Sequence, residues 1–152
     1  MTEPGPFISE QHPLSRRHAI LEDDGTSAWL YLTAPDEPRP VADVFVYNRH
    51  APADCVKDAA GSAPPPIVKA FAAPEAVVSA PERSAWRFRW SADGESVALQ
   101  RDGVAVALIP SGRRRGFTSA VVAECPWGAP LHSEHLAAAG VERSSVRPAV
   151  DC

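Results

Sequence analysis

Three acidic residues, Glu22, Asp23 and Asp24, stand directly before Gly25. Carboxylates in such a cluster are ligands for hard cations, and two carboxylates in one site can also share a proton. The specific form of a calcium loop, Asp-x-Asp-x-Asp-Gly, is absent from the sequence. An acidic triplet before glycine is equally typical of a solvated turn, with Asp24 supplying the turn geometry. Two alternatives follow: a structural turn, or a metal-dependent hydrolase built on the triplet and His18.

His132 and His135 are three residues apart, and Cys125 lies upstream. Zinc sites use His and Cys at such spacing, but neither Cys-x-x-Cys nor His-Glu-x-x-His is present. If Ser133 caps a short helix, His132 precedes that helix and its side chain need not face His135. We therefore expect a solvated helix start and no metal site.

Signatures of nucleophilic and nucleotide chemistry are also missing. The sequence has no Gly-x-Ser-x-Gly elbow, no Gly-x-Gly-x-x-Gly fingerprint and no phosphate loop. Cys125 has no cationic neighbour in the sequence that would activate it as a thiolate. We therefore assign no catalytic residue and no cofactor.

Arginines are the residues for which the sequence favours a binding role. Arg113, Arg114 and Arg115 form the only basic run, and Arg87 and Arg89 alternate with aromatic residues. The planar guanidinium group pairs with carboxylates, and a charged face bordered by aromatic residues is typical of a protein-binding surface. The alternative is that the basic run only keeps an exposed turn soluble. We predict one patch of these five arginines that contacts a protein partner.

The elements that must position these residues are strands joined by tight turns. Asp24-Gly25, Asp93-Gly94 and Asp102-Gly103 each separate two strand-like runs. Asp-Gly is favoured in hairpins because both residues tolerate positive φ. In residues 86–90, Trp86, Phe88 and Trp90 alternate with arginine, which predicts one buried aromatic face. The predicted strands are 17–22, 28–33, 41–48, 86–90, 95–100, 104–110 and 117–124.

These patterns indicate a mainly β (β-rich α+β) protein with one or two short helices. We expect an antiparallel meander of about seven strands, either as one strongly bent sheet or as two packed sheets. At 152 residues the chain fits one domain, and its 16 Pro and 9 Gly indicate many turns. The predicted organisation is a flexible N-terminal arm (1–15), a single antiparallel β domain (16–140) with a Pro-rich insert (49–84), and a frayed tail (141–152).

Composition argues against several classes of protein. A net charge of −4 with a single short basic run argues against nucleic-acid binding. No run approaches 18 apolar residues and none near the N-terminus resembles a signal peptide, so we expect a cytoplasmic protein without membrane contact. Three irregularly spaced cysteines argue against a disulfide framework. The sequence leaves the oligomeric state open, a homodimer included.

Two passages resemble a family of small uncharacterised bacterial proteins. In residues 19–31 a Glu-Asp-Asp-Gly turn precedes an aromatic strand, and the next strand ends Tyr47-Asn48. Residues 89–108 begin with a Trp-Ser-x-Asp-Gly turn that leads to apolar strands. The resemblance covers residues 17–125 apart from the Pro-rich insert, which is longer here, and the segment after Arg115 lacks the aromatic, Cys-containing ending of that family. It implies an architecture and no established activity.

The function predicted from these observations is a small non-catalytic binding module that acts by protein–protein contact. Missing catalytic signatures and an arginine-bearing strand face favour it. An immunity-type role, in which the protein neutralises a toxin by stoichiometric contact, is suggested by analogy alone. The alternative is a small enzyme or metal-dependent hydrolase that uses the acidic turn at 22–24.

Overall fold

The computed structural model describes residues 5–54, 66–79, 81–82 and 85–141. Within these ranges nine strands form two sheets, and each sheet keeps its strands in chain order. The first sheet consists of β1 (Phe7–Gln11), β2 (His18–Asp23), β3 (Ser27–Thr33) and β4 (Pro40–Asn48). The second consists of β5 (Trp86–Trp90), β6 (Val97–Arg101), β7 (Val104–Ile109), β8 (Phe117–Thr118) and β9 (Ala129–Pro130). Neighbouring strands are antiparallel except β8 and β9, which are parallel. One α-helix, α1 (Ser133–Ala138), and a 3₁₀ turn (Pro74–Ala76) complete the described elements.

The mainly β prediction is confirmed, but a single meander of about seven strands is wrong. The chain forms two sheets, of four and five strands; the first is an antiparallel meander, and the second ends in the parallel pair β8 and β9. Residues 7–11, which were expected in a flexible arm, form β1 and pair with β2 from Phe7–Glu22 to Gln11–His18. Strand β1 lies at the sheet edge and is largely exposed, so its polar sequence shows no alternation. Strand β9 has two residues, too few for any pattern to detect.

The three Asp-Gly pairs lie at hairpin turns, as predicted. Gly25, Gly94 and Gly103 have φ of 95°, 72° and 81°, in the left-handed region. They connect β2 to β3, β5 to β6 and β6 to β7. Glycine adopts this conformation without the Cβ clash that other residues suffer. The turns are therefore determined locally.

The main core lies between the two sheets. Leu30 and Val44 of the first sheet share a buried cluster with Leu99 and Ile109 of the second, and all four are fully buried. Each such side chain contributes about 1.5–3 kcal/mol of gross hydrophobic stabilisation. Trp86 is 5% exposed in the same cluster, and Phe88 and Trp90 pack against it, so the predicted aromatic face of β5 is confirmed.

A β-bulge in β4 changes the side on which Tyr47 lies. Simple alternation predicts Val44 and Val46 on one face, with Phe45 and Tyr47 on the other. In the structure Ala28 of β3 pairs with Tyr47, and the next residue, Trp29, pairs with Phe45. Val46 is therefore an extra residue in β4. An extra residue reverses the alternation beyond it. Tyr47 therefore lies between the sheets with Val44, and the prediction for Tyr47 is wrong.

Smaller clusters cover the outer faces. Helix α1 places Leu136 on Leu108 and its neighbours in the second sheet. Residues from 66–79 and 120–127, among them Ile67 and Trp127, cover Phe45 on the first sheet. The described part of the Pro-rich insert thus packs over the sheet, while residues 55–65, 80 and 83–84 lie outside the described residues. In the described ranges no helix has the length and apolar character required to cross a membrane.

Candidate functional site

The three carboxylates of the acidic triplet do not converge. Asp23 is buried, whereas Glu22 and Asp24 are exposed. Asp24 Oδ1 accepts the backbone N–H groups of Thr26 at 2.8 Å and Ser27 at 3.0 Å, which closes the turn. The residues described here contain no group of three or more His, Cys, Asp or Glu side chains placed to hold a metal ion. The geometry of the triplet is therefore that of a turn, not of a metal centre.

Asp23 belongs to a buried polar network that joins two strands and the N-terminal segment. Its Oδ2 accepts hydrogen bonds from the Tyr47 hydroxyl at 2.5 Å and from Arg49 Nη1 at 2.8 Å, and its Oδ1 accepts the Gly25 N–H at 2.7 Å. Burial and the neighbouring Asp23 raise the pKa of Tyr47. A Cβ at Gly5 would lie 2.0 Å from Asp23 Oδ2, so the backbone there lies directly on the carboxylate. A buried carboxylate requires such partners, and this network is structural.

The five predicted arginines do not form one patch. Across the outer face of the second sheet the register runs Arg89, Ala98, Leu108, Phe117. The Arg113 guanidinium lies 4.3 Å from the centre of the Phe117 ring, at the far end of this row. Three strand spacings, about 14 Å, separate the two ends, and Leu136 of α1 covers the middle. Arg87 and Arg89 are therefore divided from Arg113 by the helix.

Arg115 is directed toward the first sheet. Its Nη1 lies 3.1 Å from Asp43 Oδ1, and its guanidinium lies 5.3 Å from the centre of the Trp29 ring. Burial raises the pKa of Asp43, and the charge of Arg115 opposes that rise. Two backbone hydrogen bonds, each 2.9 Å long, close the same edge of β4: the Asp43 N–H donates to Arg114 O, and the Gly116 N–H donates to Asp43 O. Arg115 thus serves to join the two sheets.

Residues 110–114, here called the basic turn, separate two depressions. Ser96 Oγ accepts the Ser111 N–H at 2.8 Å, which fixes the turn to the hairpin between β5 and β6. Between the basic turn and α1 lies an open groove of about 690 Å³, here called the basic groove. On the other side of the turn lies a cavity of about 320 Å³. Arg113 lines both, so the two depressions adjoin.

An aromatic contact forms part of the wall of the basic groove. The His135 ring stacks on Phe117 with ring centres 3.8 Å apart and planes 12° from parallel. His135 Nδ1 accepts the His132 N–H at 3.0 Å, so His132 is the N-cap residue. The prediction of Ser133 as the N-cap is wrong. Burial, with the neighbouring His132, lowers the pKa of His135. A neutral imidazole is also what an accepting Nδ1 requires.

The acidic residues beside the basic turn are already engaged. Glu95 pairs with Arg17 at 3.0 Å. Backbone and side-chain hydrogen bonds, chiefly from the Glu95 N–H, lower the pKa of Asp93. Among the acidic residues of the described ranges Arg113 pairs with Glu124, at 3.6 Å, whose side chain is 80% exposed, and its Nε donates to Arg115 O at 2.6 Å. Arg114 is exposed and makes no ion pair with any residue in the described ranges. Arg113 thus lines the groove and Arg114 lines the adjoining cavity, and neither has a buried acidic partner among the residues described.

The remaining candidates are dispersed. His132 and His135 have ring centres 5.4 Å apart, without a third ligand among the described residues. Cys125 is a partly buried free thiol whose Sγ lies 3.5 Å from Gly128 O. The sequence missed the buried Asp23 network and the aromatic wall of the groove. The only signal in the sequence for the Asp23 network was a charged residue at the end of an apolar strand.

Comparison with known proteins finds no family model that matches the chain, and no significant match among curated proteins or solved structures. The resemblance to small uncharacterised bacterial proteins stays a prediction from the motifs quoted above.

Proposed function

We propose that the protein is a small non-catalytic binding module whose basic groove receives an acidic segment of a protein partner. The observation that carries this proposal is that Arg113 and an aromatic wall line one open groove, with Arg114 on the adjoining side of the same turn. Charge-assisted bonds from arginine to carboxylates are stronger than neutral hydrogen bonds and fix the geometry of the partner. Aromatic and arginine side chains are also those that most often dominate binding energy at interfaces.

The size of the groove suits an anchor rather than a whole interface. A standard interface covers about 800 Å² on each partner, which exceeds one groove of this size. We therefore expect one apolar side chain of the partner to lie against the edges of the stacked Phe117 and His135 rings, with flanking carboxylates on Arg113 and Arg114. The adjoining cavity beyond the basic turn gives the partner chain room to continue.

A stoichiometric, immunity-type role is the specific form we propose, by analogy, because one-to-one contact needs a docking surface and no catalytic constellation. Membership of the small bacterial family named above is part of the same proposal. The motifs that support it include the Trp-Ser-x-Asp-Gly turn, residues 90–94, which anchors the basic turn through Ser96.

The test uses two charge-matched variants. Arg114→Glu alters the basic turn, whereas Arg87→Glu makes the same charge change on the other side of α1. Partners captured by the wild-type protein and by Arg87→Glu, but lost with Arg114→Glu, are purified and titrated by calorimetry. We expect a 1:1 complex, an affinity about tenfold or more weaker for Arg114→Glu, and a strong dependence on salt.

Two results would contradict the proposal. Equal losses from both variants would show that net charge, not the groove, governs capture. A purified partner that binds Arg114→Glu as tightly as the wild type would exclude the basic turn as part of the contact surface.

A further inference from the structure

A second cavity lies at the other end of β7 from the basic turn. Its volume is about 460 Å³, and both sheets and the segment 74–78 contribute to its wall. Cavities of this size fall within the range that holds small organic ligands. Its wall includes Tyr47, Val78, Trp86, Arg101, Val104 and Val106.

Two hydrogen-bond donors on this wall lack acceptors. The Arg101 guanidinium lies 5.5 Å from the centre of the Trp86 ring and has no carboxylate or carbonyl partner in the described part of the chain. The Trp86 indole N–H is buried and likewise has no acceptor there. The half-buried Arg101 guanidinium is therefore the donor that an acceptor in the cavity can reach, whereas the Trp86 indole nitrogen has almost no accessible surface. The Tyr47 hydroxyl does not compete, because it already donates to Asp23.

Valines form the apolar part of the wall. Val46, Val104 and Val106 line it, and Val77, one of the few exposed large apolar residues, lies at its edge with 38% exposure. An apolar ligand body would remove this surface from water. Asp102 also borders the cavity, so a second negative charge on a ligand would meet repulsion.

We propose that this cavity binds a small organic monocarboxylate with a branched aliphatic or aromatic body. The carboxylate matches the planar fork of Arg101, and the body packs on the valines and the Trp86 ring. Asp102 at the border selects against dicarboxylates. This site is separate from the basic groove and does not depend on the function proposed for it.

The experiment follows the tryptophan indole N–H signals by NMR in the full chain. The probes are phenylacetate and 4-methylpentanoate, with phenylacetamide as the uncharged counterpart, phenethylamine as the cation and succinate as the dicarboxylate. We expect saturable shifts of the Trp86 indole with the monocarboxylates, and binding about tenfold or more weaker for the amide. The indoles of Trp29 and Trp90, which do not line this cavity, serve as internal controls.

Arg101→Gln should remove the preference for phenylacetate over phenylacetamide, while Arg87→Gln should retain it. The probe comparison in the wild-type protein decides the matter even if Arg101→Gln fails to fold. No saturable shift of Trp86, equal binding of the amide, or tighter binding of the amine or succinate would overturn the proposal.

Discussion

Replacing Tyr47 by phenylalanine removes one buried hydroxyl group and leaves the aromatic ring in place. The ring stacks on Trp86 with centres 5.4 Å apart, and phenylalanine can preserve that contact. What is lost is the 2.5 Å hydrogen bond to Asp23, a carboxylate whose side chain is fully buried. Asp23 then keeps only Arg49 and the Gly25 N–H as its named partners.

The expected loss of stability follows from the charge on the acceptor. Hydrogen bonds to charged groups contribute about 1.5–3 kcal/mol, against about 1 kcal/mol for neutral pairs. We therefore expect Tyr47→Phe to lower the free energy of unfolding by about 1.5–3 kcal/mol. With a urea m-value of about 2 kcal/mol/M, the midpoint should fall by about 1 M.

Tyr31→Phe is the matched control. Tyr31 is half-buried on the outer face of β3, and its hydroxyl makes no hydrogen bond to a described residue. Burial, with the nearby carboxylates of Glu22 and Asp43, raises its pKa to about 12. Removing this hydroxyl should change the free energy of unfolding by less than about 0.5 kcal/mol. Both variants are compared by urea unfolding, followed by far-UV circular dichroism and tryptophan fluorescence.

The reasoning would be refuted if both variants had the same stability as the wild type, or if Tyr31→Phe were the more destabilised of the two. Either result would mean that the Asp23 carboxylate does not depend on the Tyr47 hydroxyl. A changed m-value would instead indicate an altered unfolded or native state, and the comparison would then be repeated by calorimetry.

Two further predictions concern the N-terminal segment and helix α1. Gly5→Ala should displace the backbone that covers Asp23, because the new Cβ would lie 2.0 Å from the carboxylate. Hydrogen exchange should therefore accelerate at the Asp23 N–H, which donates to Pro6 O. Unchanged exchange at this N–H would contradict the placement of Gly5 on the carboxylate. The pKa of His135 is lowered from 6.5, so the unfolded chain binds the proton more readily and stability should fall as pH drops below about 6.5. His135→Gln keeps an acceptor for the His132 N–H and should flatten this slope in thermal melts between pH 7.5 and 5; an unchanged slope would exclude His135 as its source.

The parts of the fold that the sequence predicted are those determined by neighbours in the chain. An Asp-Gly pair favours a tight turn because glycine readily adopts positive φ, so the turn at Gly25 could be placed without knowledge of the rest. The alternation of Trp86 and Phe88 with arginines likewise identified the buried face of β5. Strand β1 was missed because an exposed edge strand places little demand on its side chains.

The candidate sites were predicted less well, because they depend on contacts between distant parts of the chain. Nothing in the local sequence distinguishes Arg113, which lies over Phe117, from Arg115, which pairs with Asp43 on the other sheet. No pattern in the sequence indicates the bulge at Val46, yet this bulge brings Tyr47 to Asp23.

The sequence by itself thus determined the strand content, the hairpin turns and the aromatic face of β5, since these follow from backbone preferences and period-two burial. Only the tertiary structure decided the pairing into two sheets, the burial of Asp23 and the separation of the five arginines. The physical reason is that turn conformations are local energies, whereas register, bulges and charge pairing are set by which distant surfaces pack together.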